Sequence, residues 1–438
     1  MEFPIYVALK QTIRIRSMKN SHQVILDGLR KSQIPLLIYG AGVVGQVLFH
    51  ICERLGLTVD GFCDGSSAVA HTTVCNRFVL HTSDLPAQYP EAVFLISVAS
   101  IKDVVEKLEE LGYLTWYPGG PLLKEYYIAE PTRSPILSYT DFAVETCIWC
   151  HKAFLAEEGL YIRSVDVMIT ERCSLRCKDC SNLMQYYTQP RDCDEHNLKA
   201  SINRLCHLVD DILECRVIGG DAFMYKRWPN IVTHLLPQAK IRRVVVYTNG
   251  TLLPSKSQLE CLKHPKALVV ISNYGPLSKK LQSLTKTLQD MHITYRVLDI
   301  DSWLDCARIQ PHHRTAEENK RLFADCCAKN MLTLSNGSLF RCPFSANAFR
   351  LEAVPHSSSD YVNLWPKSSG LEDDETVRRK IWAYLHTIPF LQTCDFCNGR
   401  PLAGPSVVPA VQTRTPLPYH KYPHRYPSHS DGLMEDNR

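Results

Sequence analysis

The stretch Ser164-Val-Asp-Val-Met-Ile-Thr170-Glu-Arg-Cys173-Ser-Leu-Arg-Cys177-Lys-Asp-Cys180 decides the architecture. Its first seven residues make a short, mostly apolar run of the kind a buried strand needs. The run opens directly onto three cysteines spaced C-x3-C-x2-C. Similar runs follow at Cys215–Gly219, Ile241–Thr248, Ala267–Asn273 and Thr294–Asp299, with helical stretches such as Glu195–Ile212 and Ser278–Met291 between them. Repeated strand–helix units predict a parallel sheet, closed as a barrel or open. The cysteine loop then stands at the carboxyl end of the first strand, where barrel enzymes place their chemistry. Three thiolates on one loop hold three irons of a [4Fe–4S] cube and leave the fourth without a protein ligand. Zinc is the alternative. It prefers four ligands, and nothing near Cys180 completes such a set.

The loop resembles that of the radical S-adenosylmethionine (SAM) superfamily, and the likeness covers residues 161–310. Gly219-Gly220-Asp221 stands in the place of the family's Gly-Gly-Glu. Thr248-Asn249-Gly250 ends the third strand, and Ser272-Asn273 ends the fourth. The resemblance implies an α/β fold built as a partial (β/α)6 barrel. It also implies a SAM-binding [4Fe–4S] cluster on Cys173, Cys177 and Cys180. SAM contacts are then expected at Gly219, Gly220, Asp221, Ser272 and Asn273. Paired glycines let the backbone approach a ligand, and a carboxylate accepts from an ammonium. The chain departs from the family twice. Asp221 is one methylene shorter than the usual Glu, and Asp179 replaces the usual aromatic before the third cysteine. Reductive SAM cleavage, hydrogen abstraction from a substrate, and an electron donor such as flavodoxin or ferredoxin complete what the likeness implies.

Cys327, Gly337, Cys342 and the pair Cys394-Asp-Phe-Cys397 make a second pattern, C-x9-G-x4-C, gap, C-x2-C. It resembles the twitch domain, the shortened SPASM domain, and implies an auxiliary [4Fe–4S] cluster over residues 311–400. Asn336-Gly337 between two apolar runs predicts a hairpin that brings two cysteines together. Cys326 adjoins Cys327 and serves nearly as well, so both are candidates. A four-thiolate zinc site uses the same residues. Cys147-Ile-Trp-Cys150-His151 matches a haem-attachment pattern but reads best as packing.

Residues 1–121 predict a second, N-terminal α/β domain. Strand candidates are Leu36–Gly40, Thr58–Asp64 and Ala92–Ser100. Gly40-Ala-Gly42-Val-Val-Gly45 follows the first of them and opens a helix, and Asp64 ends the next. The segment resembles Rossmann-like, sugar-nucleotide-binding domains of bacterial sugar acyltransferases. That implies a nucleotide or nucleotide-sugar at Gly40, Gly42, Gly45 and Asp64. Residues 122–160 read as a connector.

The chain has 438 residues, 18 cysteines and a net charge of +4. That length suits two or three domains. So weak a charge gives no nucleic-acid footprint. The start lacks a secretory pattern, and the uncharged run Ile34–Cys52 is broken by glycines, so a cytoplasmic protein without a membrane span is expected. Residues 401–438 are proline-rich and predict a disordered tail. The substrate is expected among sugars, nucleotide-sugars or glycan precursors, undergoing oxidation or epimerisation. The alternatives are a radical SAM peptide maturase and a zinc-stabilised nucleotide-binding regulatory protein.

Overall fold

A computed structural model describes residues 21–129, 138–156, 159–364, 373–401 and 404–424. It is a mixed α/β structure with two compact units, Met1–Tyr161 and Ile162–Arg438. In the first unit β1 (Leu36–Tyr39), β2 (Gly61–Asp64), β3 (Thr73–Val74), β4 (Arg77–His81), β5 (Val93–Ile96) and β6 (Trp116–Pro118) form one sheet in the order β3-β4-β2-β1-β5-β6. All neighbours are parallel except β3 and β4. The central strands β1 and β5 are buried throughout. They alternate between two cores, as strand side chains must. Ile38 and Leu95 enter one, and Leu37 and Phe94 enter the other. Helix α1 (Val43–Arg54) covers the first core with Leu48, Phe49, Ile51 and Cys52. Helix α2 (Ile101–Glu110) covers the second with Ile101, Val104, Val105 and Leu108, one helical stripe.

Strand β6 lies in the segment TWYPGGP, whose prolines and glycines suggest a domain edge. Pro118 is tolerated there because β6 is an edge strand. Helix α3 (Tyr139–Leu155) sends Val144 and Cys147 into the core under α1. This part of the expected connector therefore belongs to the first unit. Cys147 and Cys150 are both buried.

His151 is fully buried on the same helix. Its Nδ1 accepts from Gly120 N (3.0 Å), so Nε2 carries the proton and donates to Val98 O (2.8 Å). Burial lowers its pKa to about 4. An unfolded histidine titrates near 6.5, so the unfolded state binds the extra proton first as pH falls. Stability should be complete above pH 6.5 and drop by about 3 kcal/mol as pH falls to 4. Urea unfolding across that window should show this slope, and His151→Asn should lack it.

In the second unit the strands are β7 (Tyr161–Thr170), β8 (Asp211–Gly219), β9 (Ile241–Thr248), β10 (Ala267–Asn273), β11 (Tyr295–Asp299), β12 (Trp303–Leu304), β13 (Leu332–Ser335), β14 (Ser338–Phe340), β15 (Tyr361–Asn363) and β16 (Ser406–Val407). Eight of them form one sheet in the order β11-β10-β9-β8-β7-β13-β14-β15. The pairs β8–β9, β9–β10, β10–β11 and β7–β13 are parallel. The predicted hairpin is β13–β14. Asn336 and Gly337 both have positive φ, 46° and 75°, as a two-residue turn of matching twist requires. The hairpin does not stand apart. It continues the main sheet, with Leu332 opposite Val165 and Leu334 opposite Val167.

The stretch expected as a tail is corrected in part. Residues 404–424 are defined, and β16 pairs antiparallel with β12. Leu417 N donates to Gln185 O (2.9 Å), and the ring of Tyr419 meets Tyr186 edge-on. His424 is buried against Phe349 and bonds Val354 O, which makes it a packing residue. The prolines cost nothing here because this backbone bonds to other loops and has no core of its own. Residues 425–438 lie outside the described residues. Among the described residues, no helix is long and apolar enough to cross a membrane.

Candidate functional site

Parallel strands gather their carboxyl ends on one side of a sheet, and the loops that follow enclose a crevice there. In the second unit these loops enclose a cavity of about 340 Å³. Cys173, Cys177 and Cys180 all line it, after β7. Gly220 lines it after β8, Thr248 and Asn249 at the end of β9, and Ser272 and Tyr274 at the end of β10. The sequence-predicted cluster loop and three neighbouring strand ends thus meet at one place.

The paired glycines explain how the loop sits so close to the sheet. A Cβ on Gly219 would stand 2.1 Å from Thr170 O, and one on Gly220 would stand 2.2 Å from Arg172 O. Without side chains, Gly220 N donates to Thr170 O (3.0 Å) and Asp221 N to Arg172 O (2.9 Å). Gly219 itself lies behind the lining, where its carbonyl accepts from Asn182 Nδ2 (3.0 Å).

The three sulfurs are sheltered. Burial raises the pKa of each thiol, and for Cys173 the nearby Asp221 charge adds to it. Cys177 is pushed up to about 11. Two side-chain amides point at sulfur: Asn249 Nδ2 lies 3.5 Å from Cys173 Sγ, and Gln412 Nε2 lies 3.2 Å from Cys177 Sγ.

Two further predicted ligand contacts also lie outside the lining. Asp221 is buried and does not line the cavity. Its Oδ1 accepts from Phe223 N (2.9 Å), and its Oδ2 accepts from Asn249 N (2.8 Å) and Thr248 Oγ1 (2.9 Å). The carboxylate holds the end of β9 in place. Asn273 turns away from the cavity, donating to Asp299 Oδ1 (2.7 Å) and accepting from Gly275 N. Asp179, by contrast, lines the cavity, with Oδ1 buried and, among the described residues, without a hydrogen-bond partner.

Sequence reading missed the inner wall of this cavity. Asp166 and Arg216 face it from the middles of β7 and β8, with Tyr247, Cys306, Met331 and Arg400 beside them. Arg216 Nε lies 2.7 Å from Asp166 Oδ1, and the side chains are only 13% and 3% exposed. A signal was present. A charged residue inside an apolar strand must be paired or facing something polar.

A second cavity lies in the same unit. Cys326, Cys342, Cys394 and Cys397 line it with Leu322, Phe323, Phe344 and Leu391. Cys326 caps helix α4 (Ala316–Asp325), and Cys342 caps helix α5 (Pro343–Arg350) after the hairpin. Arg314 Nη1 donates to the carbonyls of Cys394 (3.1 Å) and Cys397 (3.0 Å), fixing their turn. Burial pushes the Cys394 thiol up to about 12. Cys327 is not part of the lining; its N–H donates to Arg400 O (2.9 Å). Among the described residues, no three His, Cys, Asp or Glu side chains converge on the position of a single ion.

In the first unit Gly40 ends β1 with φ of 104°, and Gly42 caps α1. Gly45 packs against the Gly40 carbonyl, where a Cβ would stand 1.9 Å away. Asp64 closes this loop: Oδ2 accepts from Ala41 N (2.9 Å) and Oδ1 from Ser66 N (2.9 Å).

No family model matches the chain, and no curated protein matches it. Partial likeness exists to solved structures. One is anSMEcpe with bound AdoMet and Cp18Cys peptide, 13% identical over 42% of this chain and 74% of that one, TM-score 0.32. Another is BtrN in complex with AdoMet and 2-DOIA, 13% identical over 54% and 93%, TM-score 0.38. A third is Streptococcus suis SuiB bound to S-adenosylmethionine, 14% identical over 45% and 44%, TM-score 0.27. At these scores the likeness assigns no role to any residue here.

Proposed function

We propose that the chain is a radical SAM enzyme with one SAM-binding and one auxiliary [4Fe–4S] cluster, acting on a sugar, nucleotide-sugar or glycan precursor. The observation that carries this is the convergence of Cys173, Cys177 and Cys180 on one cavity at the carboxyl ends of parallel strands. Three thiolates leave one iron for SAM. When bound there, the cofactor supplies a carbon radical that takes hydrogen from substrate. The protein binds, orients and excludes water. Gly220 offers bare backbone to the ligand, and Thr248, Asn249, Ser272 and Tyr274 offer polar atoms around it. Asp221 acts through Thr248 and Asn249 as a positioning residue. Asp166, Arg216 and Tyr247 make the opposite, polar wall. A hydroxyl-rich small molecule needs such convergent donors and acceptors, which supports the sugar reading.

Anaerobic reconstitution tests the core claim. Iron and sulfide uptake with release of 5′-deoxyadenosine from SAM and dithionite is the expected result. Zinc alone in anaerobically purified protein, and no 5′-deoxyadenosine, sinks it.

The auxiliary cluster rests on Cys326, Cys342, Cys394 and Cys397, four thiols that line one cavity. Cys326, and not Cys327, is the fourth ligand. Cys326→Ser should lose about half of the iron, while Cys327→Ser should keep it; iron and sulfide assays decide this directly. Full protein ligation favours a structural or electron-relay role.

For the first unit we retain a nucleotide or nucleotide-sugar at Gly40, Gly42 and Gly45. Its parallel strands run in doubly wound order, with the glycine turn at the start of α1. Asp64 is already engaged by two amides, so its share in ribose binding is secondary. Calorimetric titration with NAD and a UDP-sugar tests this; no heat with either rejects the site.

A further inference from the structure

Residues 410–414 run along the cysteine loop like an added strand. Lys178 N donates to Val411 O (2.7 Å), and Thr413 N donates to Arg176 O (2.8 Å). Cys177 and Gln412 form the antiparallel bridge between them. Arg176 also donates from its side chain to Arg414 O (3.0 Å).

Inside this ladder the Gln412 side chain has one possible orientation. Arg176 N–H needs an acceptor, and Gln412 Oε1 supplies it at 2.8 Å. The amide nitrogen must therefore face the other way. It donates to Ala410 O (2.7 Å) and lies 3.2 Å from Cys177 Sγ. An N–H aimed at a cluster sulfur withdraws electron density and stabilises the reduced form, because hydrogen bonds to sulfur help set a cluster's potential. The strap also covers the loop from water. Cys177 is 7% exposed.

We infer that the 410–414 strap is part of the SAM-cluster site and that Gln412 is a positioning residue that raises the reduction potential of the cluster through Cys177. This inference rests on the radical SAM reading. It differs from it in making a distant, proline-rich segment part of the redox centre.

The test is potentiometric titration followed by electron paramagnetic resonance on the full chain. The SAM-binding cluster is recognised by the change its signal undergoes when SAM is added. The auxiliary cluster serves as internal reference. Gln412→Leu keeps the side chain's bulk and removes the N–H donor. Gln412→Glu keeps the acceptor for Arg176 N–H and places an anion against sulfur. The midpoint should move negative in Gln412→Leu and further negative in Gln412→Glu, while the auxiliary midpoint stays fixed. Gln412→Asn, one methylene shorter, should fall between wild type and Gln412→Leu. Equal midpoints at full iron loading overturn the inference. Loss of the cluster from both Gln412→Leu and Gln412→Glu also overturns it, because Gln412 then only holds the loop. If the wild-type protein takes up no cluster, the functional reading itself fails, so the two failures are distinguishable.

Discussion

Replacing Cys173, Cys177 and Cys180 together by alanine is expected to remove all SAM cleavage while leaving the second cluster intact. Iron should fall from about eight to about four per chain. The reasoning is spatial. The three thiols line the larger cavity, and none of them lines the cavity of Cys326, Cys342, Cys394 and Cys397. The first set sits on a loop between strand ends, and the second on helix caps and a turn fixed by Arg314. Loss of one set therefore leaves the scaffold of the other. Chromatographic assay of 5′-deoxyadenosine with parallel iron and sulfide analysis measures both outcomes at once. Continued cleavage by the triple variant would refute the assignment.

The second large effect concerns Asp166 and Arg216. Removing one member of a buried ion pair leaves an uncompensated charge, at a cost of about 3–5 kcal/mol. Asp166→Asn and Arg216→Met should each be destabilised on that scale. Replacing both members by apolar residues of similar size is often neutral. The double variant Asp166→Leu, Arg216→Met should thus recover most of the stability. If the pair faces substrate, as its position in the cavity wall suggests, the double variant should still cleave SAM but fail to convert substrate. Denaturant unfolding reads the first effect, and the ratio of product to 5′-deoxyadenosine reads the second. Recovered stability together with recovered turnover would make the pair a structural element only.

How much of this was legible beforehand depended on sequence distance. The place of the C-x3-C-x2-C loop at the end of β7 was readable because its signal is local: one strand, three thiols, one turn. The Asn336-Gly337 hairpin was readable for the same reason. Its attachment to β7 was not, because Leu332 and Val165 lie far apart along the chain and nothing in either strand names its neighbour. The choice between Cys326 and Cys327 was equally hidden. Adjacent side chains diverge, and only the packed fold decides which one enters the cavity. Asp221 shows the opposite failure. Its motif position was readable, but its carboxylate closes β9 instead of entering the cavity. The segment at 404–424 was misread because proline-rich composition argues against a core, yet this segment borrows partners from loops already built. Asp166 and Arg216 were visible as charges interrupting apolar strands.

The strap that crosses the cysteine loop is synthesised long after the loop itself. About 230 residues separate Cys180 from Gln412. At ordinary translation rates the ribosome needs roughly 10–50 s to cover that distance. During this interval the loop has no strap over it, and the partner strand β13 of β7 is also still to come. The thiols are thus less covered while the chain is being made than after the strap has docked. Once residues 410–414 dock, Cys177 is left only 7% exposed. Order of synthesis in this way sets the order in which loop and cover appear, loop first and strap second.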